Sequence, residues 1–552
     1  MSTTSDLVEL IAAARAWTAQ DPDPSTRAEL AALADRATTD DDAAADLADR
    51  FAGRLEFGTA GLRGALGAGP RRMNRVVVAQ AAAGLATYLG QHPVEGQAGV
   101  VIGYDARRNS DVFARDTAEI LRGAGIPAYL LPRPLPTPVL AYAIRPLGCA
   151  AGVMVTASHN PPQDNGYKVY LGDGSQIVPP ADSDIAKAID VVGPVAELPR
   201  GNDYTTLDET VVDDYVAAVA ALPASDGPRD VAFAYTPLHG VGGSVVRAVL
   251  DRVGYGPGHE TPEQIDPDPD FPTVAFPNPE EPGAMDLAIA AARRAGADLA
   301  IANDPDADRL AVAVPGIHGW RLLSGDELGA LLADHALRRR LEGTYATTIV
   351  SSSLLGRMAE SHSQPYAETL TGFKWISRVD GLVYGYEEAL GYCLAPELVR
   401  DKDGISALVR LLELAAGLKA SGATLVDRLD EIAERYGLHA TDQLSVRVAD
   451  LGLIASAMTR LRAEPPAVLG GLAVEGVDDL AAGSATLPPT DGLRFRLADR
   501  ARVVVRPSGT EPKLKSYLEV VVPVTDGVDA ARIAAAGRLD AIRSDLAAVL
   551  DL

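Results

Sequence analysis

The chain has 552 residues, 47 % hydrophobic and 23 % charged, which at roughly 150 residues per domain leads us to expect three or four globular domains. Its formal net charge of -25 disfavours nucleic acid and anionic membrane surfaces as partners. Two cysteines, Cys149 and Cys393, exclude a disulfide framework and fit a reducing compartment.

In chain order, Met1 to Gln20 carry acidic residues and lack a basic segment followed by an apolar one, so no signal peptide is expected. The Ala/Val-rich run from Val76 to Leu89 is broken by Gln80 and is too short to span a bilayer. The expected location is cytoplasmic. From about Val76 to Ala420, strand-like apolar runs alternate with Ala/Leu-rich helical stretches, the pattern of βαβ units. Val100 to Gly103 reads as a strand, Val112 to Gly123 as a helix, and Ala151 to Val155 as a buried strand. A linker follows over Val192 to Asp203, then a short helix near Asp213 to Leu222 and a new α/β segment from Val231 to Tyr235. Another boundary falls near Leu322 to Asp326, with a helix from Glu327. Beyond about His439 the strands shorten, and Arg502–Val505 and Leu518–Val522 read as a pair. The expected fold is α/β: three consecutive mixed-sheet α/β domains (1–225, 226–322 and 323–439) and a smaller α+β domain (440–552), with an active site in the central cleft.

Four loops carry the chemistry. Thr156-Ala157-Ser158-His159-Asn160-Pro161 follows the strand Ala151–Val155, so Ser158 stands on a rigid platform and is presented to solvent or ligand. Asn303-Asp304-Pro305-Asp306-Ala307-Asp308-Arg309 lies between two apolar runs. Three carboxylates at alternate positions of a tight loop call for a cation, and their oxygens suit Mg²⁺. The loop is not an EF-hand, which needs glycine where Arg309 stands and glutamate where Pro315 stands. Asp266-Pro267-Asp268-Pro269-Asp270 repeats the alternation without flanking strands and reads as a solvated loop.

Arg506-Pro507-Ser508-Gly509-Thr510-Glu511-Pro512-Lys513 combines two cations, two hydroxyls and a glycine, the inventory of a phosphate clamp. Gly385-Tyr386-Glu387-Glu388-Ala389-Leu390-Gly391-Tyr392 offers adjacent glutamates to sugar hydroxyls. Thr371-Gly372-Phe373-Lys374 and the turn Asp401-Lys402-Asp403-Gly404 are weaker signals. A phosphorylatable serine, a Mg²⁺ loop, a phosphate clamp and a hydroxyl-binding loop together specify phosphoryl transfer on a sugar phosphate.

On these motifs, and from Gly58-Thr59-Ala60-Gly61-Leu62-Arg63-Gly64 to Lys515, the chain resembles the α-D-phosphohexomutase superfamily of phosphoglucomutases and phosphomannomutases. Within it, the combination of Thr156 to Pro161, Asp164 to Lys168, Glu387 to Tyr392 and Arg506 to Lys513 resembles the phosphoglucomutase-2-like branch, which includes phosphopentomutases and bacterial phosphomannomutase-like members. The resemblance implies that Ser158 is the phosphoserine and that Asp304, Asp306 and Asp308 hold Mg²⁺ with an oxygen of phosphorylated Ser158. Arg63, His159 and Lys168 would surround the reacting hydroxyl, with Lys168 or His159 as the acid–base group. Arg309 would sit near the phosphoserine or substrate. Thr371, Gly372, Lys374, Glu387 and Glu388 would bind the sugar, and Arg506, Ser508, Gly509, Thr510 and Lys513 its non-reacting phosphate.

The implied reaction interconverts hexose 1- and 6-phosphates of glucose or mannose, with a sugar 1,6-bisphosphate as intermediate and activator. The C-terminal domain would close over the cleft to exclude water. One departure weakens the hexose assignment: many hexomutases carry serine where this chain has Ala389. A phosphopentomutase acting on ribose or deoxyribose 1-phosphate is therefore the alternative. A serine hydrolase is disfavoured, because Ser158 lacks the flanking glycines of a nucleophile elbow. A non-enzymatic sugar-phosphate binder is disfavoured by the intact serine and metal loops.

Overall fold

The computed structural model describes residues 4–55, 61–317, 319–448, 451–508 and 513–550. The chain forms two compact units: residues up to Ser225 with Ala232–Pro315 and Glu397–Val409 make the first, and Asp226–Val231, Gly316–Pro396 and Arg410–Leu552 the second. The segment Glu397–Val409 packs with the unit that carries Ser158.

The first unit opens with helices α1 (Thr4–Gln20), α2 (Pro24–Arg36) and α3 (Asp41–Phe51), a stretch to which the sequence assigns no elements above. Their caps are local: Asp23 accepts from Ser25 N ahead of Pro24 in the first turn, and Asp40 accepts from Asp42 N and Ala43 N. They bury Trp17, Leu30, Leu33 and Leu47 in one core with Val76, Ile102 and Phe113. The first sheet comprises β1 (Leu62–Ala65), β2 (Val100–Tyr104), β3 (Ala128–Leu130), β4 (Ala151–Val155), β5 (Asp164–Leu171) and β6 (Thr205–Thr206). Around it lie α4 (Arg75–Gln91), α5 (Ser110–Gly123), α6 (Thr137–Ile144), α7 (Ala181–Asp190) and α8 (Thr210–Ala220). Helix α5 buries Phe113, Ala114, Thr117, Ala118 and Leu121, the 3.6-residue spacing of one helix face.

Strand order in this sheet is β1-β5-β4-β2-β3-β6. Strands β4, β2 and β3 run parallel, whereas β5 returns antiparallel to β4 with Met154 opposite Lys168. The polar loop that begins at Thr156 is therefore the turn between a parallel strand and its antiparallel return. A Cβ at Gly166 of β5 would lie 2.5 Å from Thr156 O, so only glycine lets β5 pass this close to the loop.

The second sheet repeats the device. Strands β7 (Phe233–Thr236), β8 (His259–Glu260) and β9 (Leu299–Ala302) are parallel neighbours, with α9 (Gly242–Val253) and α10 (Asp286–Ala295) as connections. Strand β10 (Ala311–Gly316) then runs antiparallel to β9, pairing Ala311 with Ala302, so the three aspartates sit on a hairpin connection.

The second unit contains β11 (Gly319–Leu322) and α11 (Gly325–Arg338), the latter started by a reciprocal capping box between Ser324 and Glu327. Next come β12 (Thr344–Thr348), α12 (Leu354–Ser361), β13 (Tyr366–Thr369), α13 (Phe373–Ile376), β14 (Leu382–Glu387) and β15 (Gly391–Cys393). Again β12, β13 and β14 are parallel and β15 returns antiparallel, pairing Glu387 with Gly391.

Helices α14 (Gly404–Ala420) and α15 (Leu425–Tyr436) lead to the last sheet. It comprises β16 (Leu438–Arg447), β17 (Val468–Leu469), β18 (Leu472–Asp479), β19 (Leu493–Leu497), β20 (Arg502–Pro507) and β21 (Lys513–Val522), with α16 (Leu451–Ala463) and α17 (Val528–Leu550). Its order is β16-β21-β20-β19-β18-β17, and β20 and β21 pair antiparallel as expected, Val503 opposite Leu518. Strand β16 starts two residues before the expected boundary at 440, because Leu438 and His439 already pair with Val522 and Val521.

The register of β20 and β21 sets Arg502 opposite Glu519, and Arg502 Nε donates to Glu519 Oε2 at 2.6 Å. Ser352 Oγ donates to Glu519 Oε1 at 2.7 Å, and His439 Nδ1 lies 3.1 Å from the same oxygen. Burial works against ionisation of Glu519, but Arg502, His439 and Ser352 outweigh it and bring the carboxyl down to about 2 from 4.5. A depressed carboxyl stabilises the fold above its unfolded value and loses that contribution as pH falls towards its folded value. Between pH 4.5 and 2, Glu519 is thus expected to withdraw about 3 kcal/mol. Urea unfolding of the wild type and Glu519→Gln across this range checks it: the variant's stability should fall less steeply, and equal slopes refute the assignment.

Candidate active site

Ser158 lies one turn past β4. Its backbone is left-handed, with φ of 51°, an unfavourable conformation for a residue with a Cβ. Thr156 Oγ1 helps fix it by accepting from Ser158 N at 2.9 Å while donating to Asp105 Oδ2 at 2.6 Å. Ser158, expected to be presented to solvent or ligand, is 2 % exposed, with the aspartate loop against its hydroxyl. Its Oγ donates to Asp304 Oδ2 at 2.6 Å and lies 3.2 Å from His159 Nδ1.

Asp304, Asp306 and Asp308 are buried, each offering a carboxylate oxygen within 4.8 Å of the others. Two ammonium groups partly balance their charge. Lys168 Nζ bridges Asp306 Oδ2 at 2.8 Å and Asp308 Oδ2 at 2.9 Å, and Lys402 Nζ lies 3.3 Å from Asp308 Oδ2. The β4–β5 register brings Lys168 here. Lys402 comes from the turn that is among the weakest sequence signals. Thr137 at the start of α6, which carries no sequence signal, donates through Oγ1 to Asp306 Oδ2 at 2.6 Å. Arg309 N donates to Asp304 Oδ1 at 3.0 Å, and Arg309 Nε lies 3.9 Å from both Asp304 Oδ2 and Asp308 Oδ1. A Cβ at Gly404 would stand 2.2 Å from Arg309 O, so the 401–404 turn reaches the loop only as glycine.

Burial, reinforced by Asp306 and Asp308, pushes the Asp304 carboxyl well above its usual range. For Asp308, burial opposes ionisation, but Lys168, Lys402 and Arg309 hold the carboxyl below its ordinary value. Lys168 is likewise disfavoured as a cation by burial, yet Asp306 and Asp308 raise it above its ordinary value. Burial followed by Arg309 and Arg63 lowers His159 well below 6.5. Arg63 Nη1 donates to Asn160 Oδ1 at 3.1 Å, which places it beside the serine loop.

Asp306 Oδ1 and Asp308 Oδ1 are buried without a hydrogen-bond partner. Orphaned carboxylate oxygens are costly unless a cation takes them. Three hard oxygen donors with two such orphans fit a divalent ion of the Mg²⁺ type.

In the second unit, Glu387 ends β14 and is 9 % exposed. Glu388 Oε2 accepts from Ser351 Oγ at 2.8 Å and from Thr348 Oγ1 at 3.2 Å, so part of its carboxylate faces protein hydroxyls. Leu390 makes the turn with φ of 61°. Thr371 and Gly372 precede α13, Gly372 with φ of 103°, and Lys374 Nζ lies 5.8 Å from the Trp375 ring centre. Arg506 stands near the end of β20, and Ser508 N donates to Lys513 O at 2.8 Å across the hairpin mouth. Gly509 and Thr510 lie outside the described residues.

The serine, aspartate and glutamate loops are hairpin connections, and the strands that flank the fourth motif pair antiparallel. A serine whose hydroxyl meets a buried carboxylate cluster is an arrangement suited to moving phosphoryl groups. The comparisons narrow that class. Family models of phosphoglucomutase/phosphomannomutase match in sequence: alpha/beta/alpha domain I over residues 54–193, II over 213–317, III over 324–436, and the C-terminal domain over 446–536. The chain belongs to this family, whose members are intramolecular phosphotransferases.

It is 51 % identical over 456 residues to a probable phosphomannomutase of Haemophilus influenzae, covering 81 % of this chain and 93 % of that one. It is 37 % identical over 528 residues to the Homo sapiens phosphopentomutase, covering 86 % of each. A solved structure from Thermus thermophilus with a provisional phosphomannomutase name superposes with a TM-score of 0.70 at 27 % identity, covering 89 % of this chain and 99 % of that one. Among the described residues, no helix is long and apolar enough to cross a membrane.

Proposed function

We propose that the enzyme interconverts hexose 1-phosphates and hexose 6-phosphates, glucose or mannose, through phospho-Ser158 and a sugar 1,6-bisphosphate. The observation that carries this reading is Ser158 Oγ, 2.6 Å from Asp304 Oδ2 at the edge of the three-aspartate cluster. Asp304, Asp306 and Asp308 would hold Mg²⁺ with an oxygen of the Ser158 phosphate. Bound there, the ion neutralises phosphoryl charge.

The free sugar hydroxyl attacks the phosphorus of phospho-Ser158. The new O–P bond forms as the Ser158 Oγ–P bond breaks, and the hydroxyl proton passes to a base. Lys168 or His159 is the candidate base: Lys168 Nζ is shared by two carboxylates, and His159 Nδ1 lies 3.2 Å from Ser158 Oγ, where it can return a proton to the departing serine oxygen. Arg63 and Arg309 add positive charge for the transferring group. The bisphosphate then reverses and returns its other phosphoryl group to Ser158. Glu387, with Glu388, Thr371, Gly372 and Lys374, takes the sugar, and Arg506, Ser508, Gly509, Thr510 and Lys513 take the second phosphate.

Likeness to the probable phosphomannomutase of H. influenzae favours hexoses, whereas Ala389 and the phosphopentomutase relatives favour a pentose. A coupled assay with glucose, mannose, ribose and deoxyribose 1-phosphates, primed with bisphosphate, decides between them. A hexose should lead; a pentose faster than both hexoses by about tenfold in kcat/KM, roughly 1.4 kcal/mol, reverses the assignment.

A further inference from the structure

Behind the serine loop lies a group that the proposed chemistry does not use. Arg107, just after β2, is 4 % exposed. Its Nη2 donates to Ser158 O at 2.6 Å and Asn160 O at 2.5 Å, and its Nη1 to Pro161 O at 2.9 Å and Asp164 O at 3.2 Å. One guanidinium thus gathers carbonyls along the whole β4–β5 connection, none of which supplies a balancing charge. That charge comes from Asp105, whose Oδ2 lies 3.4 Å from Arg107 Nε. Asp105 also accepts from Thr156 Oγ1, which in turn accepts from Ser158 N. Asp105 and Arg107 therefore grip Ser158 from its N–H side and its carbonyl side.

The back of the guanidinium is sealed by Phe271, whose ring centre lies 4.9 Å from Cζ. Phe271 is 2 % exposed and holds a φ of 45°, a conformation that a bulky residue keeps only under constraint. It directly follows the Asp266–Asp270 loop, which is anchored by Asp268 N donating to His239 O at 3.0 Å. The acidic loop that mimics a metal site in sequence delivers the lid of this cradle.

We propose that Arg107 is a positioning residue for phosphoryl transfer: through the Ser158 and Asn160 carbonyls it holds Ser158 in its left-handed conformation, with Oγ turned to Asp304. The planar fork is essential, because an ammonium at this place cannot span four carbonyls. The inference rests on Ser158 being the phosphoryl carrier.

Arg107→Lys keeps the charge and loses the fork. Given ³²P-labelled sugar 1,6-bisphosphate, it should label Ser158 slowly and show kcat reduced by about a hundredfold, with KM within about threefold of wild type. Wild-type labelling and kcat in a folded Arg107→Lys overturn the positioning role, as does a loss confined to KM. If the wild-type label maps to a peptide without Ser158, the carrier assignment itself fails, whatever Arg107 does. Should Arg107→Lys not fold, Phe271→Leu carries the test. Reduced kcat at unchanged KM supports the cradle, and wild-type kcat refutes it.

Discussion

Ser158→Ala is expected to lose turnover by about 10⁴-fold or more while remaining folded, because the proposed scheme routes each phosphoryl transfer through the Ser158 hydroxyl. The structural cost is small. The side chain is a single hydroxyl whose Oγ donates to Asp304 Oδ2 at 2.6 Å, and such a bond contributes about 1–2 kcal/mol. A steady-state assay with saturating bisphosphate, run beside thermal unfolding, separates the two effects. A fully active Ser158→Ala ends the phosphoserine scheme; an unfolded one makes the loss of activity structural.

The second large effect is expected at Asp308. Lys168 and Lys402 both reach its Oδ2, at 2.9 and 3.3 Å, and Lys168, Lys402 and Asp308 itself are all shielded from water. Asp308→Asn leaves two buried ammonium groups with one carboxylate fewer. Breaking a buried ion pair from one side costs about 3–5 kcal/mol. The variant should therefore unfold at markedly lower urea, bind Mg²⁺ weakly by calorimetric titration, and turn over negligibly. Asp266→Asn, in the exposed acidic loop, is the matched control and should stay within about 0.5 kcal/mol of wild type. Equal stability of the two variants contradicts the charge-balance argument.

How much of this can be read from the chain depends on the range of the contact. The strand Ala151–Val155, the helix read over Val112 to Gly123 and the pairing of Arg502–Val505 with Leu518–Val522 follow from local periodicity and turn chemistry, and are legible. The three aspartates are legible as a cluster because they fall on one loop. Their counter-charges are not: Lys168 arrives through a strand register and Lys402 through a turn 94 residues beyond Asp308, and neither spacing leaves a local pattern. Burial of Ser158 escapes the sequence for a related reason, since its cover belongs to another sheet. The Asp266–Asp270 loop shows the reverse failure. Its composition correctly indicates solvent, and gives no hint that the next residue, Phe271, is buried against Arg107.

The 397–409 segment has a consequence for how the protein is made. It is held in the first unit by Tyr170 and Gln176, which donate to Asp401, and by Tyr215, which donates to Asp403. At about 5–20 residues per second, a ribosome that has finished the aspartate loop needs roughly 5–20 s more to supply Lys402. During that interval the nascent first unit carries the acidic cluster with only part of its compensating charge. A chain released after Pro315 would stay in that state permanently.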